Sequence, residues 1–391
     1  MIECALPHLG SPLSPLMRLS PSAPTGLLAI AVLCSVGPAS PSSLAAASLQ
    51  EPVVLDDERP AENALNKQKR LLREKQTEGL RGSWDLLRYE TAGAVVDSSE
   101  ISGAAMFAEG FFSLVIHATG REEDTGQEMD MAQAGIFRFE VDDFSNLRSL
   151  TIIGHATPPE IDVAEAEISV IEEQAGGMRE YHLQVDGDRA VMQHFSGTKL
   201  TFLRMAPSAL SAPEIARLGE ELEEQTEDPE TPGAPSELLL EEQVVGGWYL
   251  SGYLARGIPI PDDTITGAAI ISDGYMSLVI HAFDYLVDDI GDPVGEVLLA
   301  QAGLYRYRIK DSKMLQTSTV IGHSTPEVGI DYEAAGGLRQ YDASIEDGAL
   351  ILRALDGTAL RFVRMTPRQF TANESATLNR YQRGLDLIND D

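Results

Sequence analysis

The chain has 391 residues and a formal net charge of −32. That acidity argues against nucleic acid as a partner, since phosphate recognition needs stripes of Lys and Arg; it argues equally against anionic membrane surfaces, and its plain consequence is solubility. A hydrophobic content of 43% is enough for the cores of two or three domains. The only cysteines, Cys4 and Cys34, lie near the N-terminus, so the rest of the chain has no disulfide, thiol nucleophile or Cys-zinc site.

In chain order, the first feature is an apolar run, Gly26 to Gly37, of 12 residues. It is shorter than the roughly 20 residues that span a bilayer. Arg18 precedes it and Ala45-Ala46-Ala47 follows it, which is the layout of an export signal, with Met1 or Met17 as its start. No other run approaches transmembrane length, so the expected mature protein is exported, periplasmic or extracellular. Arg59–Gly79 is highly charged with a thin apolar face at Leu65, Leu71 and Leu72, and reads as a docking or solvated helix.

A repeat follows. Ile101–Ala118 and Ile265–Ala282 are identical at 11 of 18 positions, at a shift of 164. Met131–Phe139 matches Leu299–Tyr307 at a shift of 168, as Ile153–Pro158 matches Ile321–Pro326. Ala175–Arg179 matches Ala335–Arg339 at a shift of 160. Four blocks in one order make a tandem duplication, and the changing shift places the insertions in surface loops. Ser211–Glu214 and Thr371–Glu374 are both capping boxes, so each copy ends in a helix, expected over Ala212–Gln225 and Ala372–Ile388. Thr226–Ser236 is a linker of Pro, Gly and acids. Glu214–Glu242 around it holds eleven acids and one base, Arg217. The expected division is 1–47 export signal, 48–78 charged helix or linker, 79–225 first barrel with its helix, 226–243 acidic linker, and 244–391 second barrel with its helix.

Within the second copy, eight strands are expected between turn signals: Trp248–Tyr253, Ile265–Ser272, Tyr275–Phe283, Leu298–Ile309, Met314–Gly322, Leu338–Ile345, Ala349–Ala354 and Thr358–Met365. Asp273-Gly274, Asp347-Gly348 and Asp356-Gly357 suit tight hairpins. Strands in succession without a crossover helix favour an up-and-down antiparallel barrel, because closure removes the sheet edges. The fold class is therefore mainly β, as two tandem eight-stranded barrels, each followed by an α-helix. Eight strands enclose room for one small ligand or for side chains alone.

Gly82-Ser83-Trp84 and Gly246-Gly247-Trp248 open the two copies. They resemble the Gly-x-Trp start of lipocalin-type barrels, and the order of the later blocks is similar to the bacterial and plant lipocalin-like domains. The resemblance implies that Arg204 and Arg364, on the last strands, pack on Trp84 and Trp248 and close the barrel base. It also implies small hydrophobic ligands, although some relatives with such barrels are cyclases or isomerases.

His117/His281, Gln133/Gln301, His155/His323 and Arg179/Arg339 recur in both copies and are the candidate ligand-binding residues. Arg179, Tyr181 and Leu183 share a face, expected to be the inner one. His117 lies on a strand with apolar residues on both faces, so its direction is open. His155 ends its strand beside Thr157-Pro158, which suggests the barrel mouth, with general acid–base or metal chemistry as options. Two His per copy fall short of the three protein ligands of a catalytic zinc, with Glu160, Asp162, Glu327 and Asp331 as weak candidates for a third. No phosphate loop, nucleophile elbow, zinc-helix or dinucleotide motif occurs, so no cofactor or metal is expected. Three readings stand: a carrier of a small hydrophobic molecule; a cofactor-free isomerase, cyclase or hydratase using barrel His and Arg; and a structural module with filled barrels.

Overall fold

The computed structural model describes residues 59–91, 94–96, 98–121, 128–157, 171–172, 176–207, 210–223, 239–261, 264–287, 293–325 and 330–377. The export signal, residues 226–238 of the linker, Glu160, Asp162, Glu327 and the end of the second terminal helix lie outside that set. Helix α1 (Arg59–Leu80) leads into β1 (Gly82–Thr91), β2 (Ala94–Val96), β3 (Ile101–Ala108), β4 (Phe111–Arg121), β5 (Glu128–Val141), β6 (Asn146–Ala156), β7 (Ile171–Glu172), β8 (Met178–Asp186), β9 (Arg189–His194) and β10 (Lys199–Arg204). Helices α2 (Ala212–Glu223) and α3 (Leu239–Val244) connect to the second copy. That copy runs β11 (Gly246–Ala255), β12 (Ile258–Ile260), β13 (Ile265–Ser272), β14 (Tyr275–Val287), β15 (Pro293–Lys310), β16 (Met314–Thr325), β17 (Asp331–Tyr332), β18 (Leu338–Glu346), β19 (Ala349–Arg353) and β20 (Ala359–Arg364).

Each copy is a closed eight-stranded antiparallel barrel. β10 pairs with β1 and β20 with β11, while the short β2, β7, β12 and β17 add to the rims. Asp273-Gly274 and Asp347-Gly348 have φ of 49° and 80°, and of 52° and 77°, which is the twist a two-residue hairpin turn requires.

The base of each barrel is sealed in the same way. The Trp84 indole N–H donates to the Leu80 carbonyl at 2.7 Å, and the Arg204 guanidinium lies 4.1 Å from the ring centre. Arg204 also donates to the carbonyls of Arg81 and Gly79, both at 2.5 Å, tying the last strand to the end of α1. In the second barrel Trp248 donates to Val244 at 2.7 Å under Arg364, 4.4 Å away, which donates to the carbonyls of Val245 and Gln243. Of the described α1 side chains, Leu71 and Leu72 are exposed and Leu80 is fully buried.

Above the first base, Phe107, Phe112, Phe137 and Phe139 stack edge and face, with centroids 4.7–5.9 Å apart. This aromatic block fills the sealed half of that barrel. The second barrel has Ile271, Met276, Tyr305 and Tyr307 at the corresponding positions.

A third core lies outside both barrels. Met106, Phe111, Val115, Ile136 and Ile153 pack against Ile270, Tyr275, Val279, Leu304 and Ile321, joining the outer faces of β3–β6 and β13–β16. These strands are apolar on both faces because one face lines a barrel and the other lines this seam. The matched residues come from corresponding strands, so the contact is isologous, as in a two-fold dimer fused into one chain.

The terminal helices cross the seam. Glu214, at N3 of α2, accepts from the Ser211 amide at 2.7 Å and its hydroxyl at 2.6 Å, which forms the Glu half of the expected capping box. Its second oxygen accepts from Ser318 at 2.5 Å and from Arg306, both on the other barrel. Glu374, capping a helix over 372–377, accepts from the Thr371 amide and from Arg138 of the first barrel, both at 2.7 Å. Each barrel's terminal helix therefore clamps the opposite barrel.

Candidate functional site

The eight recurring residues separate into two groups on opposite sides of the barrel wall. The cause is a β-bulge. On β6, Leu147 faces the barrel interior, and Ser149 and Thr151 follow it by alternation. Between Thr151 and Ile153 the register with β5 shifts, leaving Ile152 as the extra residue. Past the bulge the faces exchange, so Ile153 and His155 point outward into the seam. β16 repeats this: Leu315 is interior, the register shifts past Thr319, and Ile321 and His323 point to the seam. His117 and His281 follow the outward residues Val115 and Val279.

Four of the chain's seven histidines thus meet between the barrels. Nε2 of His117 and Nδ1 of His323 are 2.9 Å apart, Nε2 of His323 and Nε2 of His155 are 2.8 Å apart, and Nδ1 of His155 and Nε2 of His281 are 3.0 Å apart. The chain runs His117–His323–His155–His281. Its middle contact joins corresponding atoms of corresponding residues, and its outer contacts join corresponding pairs. Ala134 and Ala302, paired with His155 and His323, keep the floor small enough for the rings. His155, His281 and His323 are fully buried, and the half-buried His117 ring lies 4.6 Å from the Tyr332 ring, tilted against it.

Burial favours the neutral imidazoles. It lowers His117 and His281 to about 4 and His323, with help from His117, to about 3. His155 falls well below the ordinary value, through burial and then the charges of His323 and His281. Since His155 and His323 each use both ring nitrogens, the rings form a chain and do not converge on a point. Among the described residues no group of three or more His, Cys, Asp or Glu is placed to hold a metal ion.

The placement settles the open direction of His117 and corrects the barrel-mouth position expected for His155. The four histidines do not line the barrel interiors, and His155 and His323 do not sit at a barrel mouth. His155 and Arg179, like His323 and Arg339, face different compartments, so the acid–base pairing required by the isomerase, cyclase or hydratase reading is not formed.

Gln133, Gln301, Arg179 and Arg339 do share the interior, at the end opposite the sealed base. Arg179 lies 5.4 Å over the Phe137 ring and Arg339 lies 5.1 Å over Tyr305. Gly135 makes room for the first ring, since a Cβ there would stand 2.5 Å from Phe137; Gly303 does the same for Tyr305. In the second barrel Glu333 organises the polar set. It pairs with Arg339, accepts from Gln301 and Thr319 at 3.3 Å each, and stands 3.5 Å from the Tyr305 hydroxyl. Burial raises the Tyr305 hydroxyl pKa well above its usual value, so it stays protonated.

Two interior residues were not among those expected. Glu333 precedes the Ala-Ala-Gly-Gly block, and Glu173 aligns with it at the shift of 160, which is the signal that could have found it. His194 follows the inward Ala190 and Met192 on β9, and its pKa is lowered to about 4 by burial and then by Arg179. Its counterpart in the second copy is Ala354, so the repeat gave no sign of it.

No family model matches the chain, and no curated protein matches it. A matching solved structure is a β-barrel-like protein of domain of unknown function DUF1849 from Brucella abortus, at 10% identity, covering 74% of this chain and 100% of that one with a TM-score of 0.13. The likeness is distant. Among the described residues no helix is long and apolar enough to cross a membrane.

Proposed function

We propose that this is an exported, non-catalytic, lipocalin-like binding protein, whose barrels each hold a small amphipathic molecule at the end opposite the Trp–Arg seal. The observation that carries this reading is the placement of Arg179 and Arg339, each inside its barrel over an aromatic ring. Arg339 already pairs with Glu333, and a ligand carboxylate or similar head could add a bidentate, charge-assisted contact to a guanidinium so placed. The apolar part of the ligand would lie against Ile101 and Ile116 in the first barrel and Ile265 and Ile280 in the second. The aromatic block of the first barrel confines a ligand there to a shallow position. Export rests on the Gly26–Gly37 run and its flanks.

The test is titration with 11-(dansylamino)undecanoic acid, an apolar chain with a carboxylate head. Saturable binding at two sites per chain is expected, with Arg179→Leu weakening one and Arg339→Leu the other. A lost hydrogen bond to a charged group costs about 1.5–3 kcal/mol, so each loss should be roughly tenfold or more. Absence of saturable binding, or affinity unchanged in both variants, would favour the third reading, a structural module with filled barrels.

A further inference from the structure

We propose that the four-histidine chain is a proton-operated latch, which holds the barrels face to face at neutral pH and loosens the seam in mild acid. The reasoning begins with counting hydrogens. Four imidazoles carry eight ring nitrogens, and the three contacts engage six of them. Four neutral rings bring four hydrogens: one for each contact and one for an outer nitrogen at one end of the chain. One further proton fits on the outer nitrogen at the other end. Any more must enter a contact, where two N–H groups would then face each other across 2.8–3.0 Å. The closed seam therefore accepts one excess proton at most, whereas four rings in water accept four.

Among the described side chains, none that faces the rings offers them a carboxylate. β5 and β15 present Ala132, Ala134, Ala300 and Ala302 beside the histidines, and β17 presents Tyr332. Glu172 lies opposite His155 in the backbone pairing, with its side chain outside the described residues, and Asp331 pairs opposite Ser324. Charged groups elsewhere between the two copies include the helix clamps, Glu214 with Arg306 and Glu374 with Arg138 and Arg368. Burial raises the Glu214 pKa, but hydrogen bonds from Ser211 and Ser318, with Arg306, outweigh it and leave the group at about 2. Glu374 is lowered too, first by Arg368. Both clamps thus stay ionised where the histidines respond.

The sign follows from linkage. The closed-seam histidines have lowered pKa values, and the freed rings titrate near 6.5. The seam is at full strength above about 6.5 and weakens as pH falls toward about 4, because the open form binds more protons. One proton taken up on opening multiplies the opening equilibrium by about thirty between pH 7.5 and 5.0, and each further proton compounds it.

The test places a thiol in the seam away from the rings: Ser277→Cys, between the outward Tyr275 and Val279 on β14, with Cys4→Ser and Cys34→Ser. Its labelling rate with 4,4′-dithiodipyridine is divided by that of an unstructured cysteine peptide at the same pH. The expected ratio rises about thirtyfold or more from pH 7.5 to 5.0, while circular dichroism shows both barrels intact. In the same chain carrying His155→Gln and His323→Gln the rise should be clearly smaller, since only His117 and His281 remain to take up protons on opening. Should that pair fail to fold, His117→Gln, at the half-buried end, should reduce the rise. A flat ratio in the parent, an equal rise in the folded variants, or suppression of the rise by a chelator would overturn the latch. Ligand binding does not enter the readout, so the result is independent of the proposed function.

Discussion

Val279→Asp is expected to part the two barrels while leaving each one folded. Val279 is fully buried, but it faces outward from β14 into the core shared with Val115, Ile136 and Leu304. An aspartate there either remains charged without a partner or takes up a proton at neutral pH. A buried charge without its partner costs on the order of 3–5 kcal/mol. Opening the seam relieves that cost without disturbing a barrel ladder, since the inward residues Leu278 and Ile280 keep their places. The expected result by small-angle scattering is a larger radius of gyration with unchanged strand content, and Val115→Asp should behave alike. Leu203→Asp, at a half-exposed outer position away from the seam, should stay within about 0.5 kcal/mol of the parent. A compact Val279→Asp protein would mean that the seam core is not what joins the barrels.

The second large effect is at the base. Trp84→Ala removes a fully buried indole, the donor to the Leu80 carbonyl and the ring beneath Arg204. Large-to-small changes of this kind cost about 3–5 kcal/mol. The chain has two tryptophans, so the variant leaves Trp248 as the sole tryptophan, excited selectively at long wavelength, and it sits in the other barrel. Denaturant unfolding should then separate into two transitions. Circular dichroism should show an early one for the first barrel, and Trp248 emission a later one, lowered only by the loss of the seam. A Trp248 transition that moves fully with the early one would show that the barrels unfold as a single unit.

The barrels were legible in the sequence because their determinants are local or repeated. Turn pairs such as Asp273-Gly274 bounded strands that form within a few residues of their expected ends, and Glu214 and Glu374 both reach back to their N-cap amides. Trp84 with Arg204, and Trp248 with Arg364, met as the lipocalin resemblance implied, and the inward direction of Arg179 followed from plain alternation with Tyr181. The seam was not legible, for two physical reasons. An apolar residue such as Val115 reads alike whether it faces a barrel core or a neighbouring barrel. And the bulges at Ile152 and Val320 add one residue each, which no residue type announces and which reverses the direction of His155 and His323. Counting alternation from Leu147 would place His155 inside the barrel; one extra residue places it on a second barrel more than a hundred positions away in the chain.

Ring-nitrogen NMR on protein labelled with ¹⁵N in its histidines tests the central claim, that the two barrels are latched by one chain of four imidazoles. At pH 7.5 three couplings across N–H···N hydrogen bonds are expected, linking His117 to His323, His323 to His155, and His155 to His281. Four rings that show no such couplings and titrate independently near pH 6.5 would contradict it.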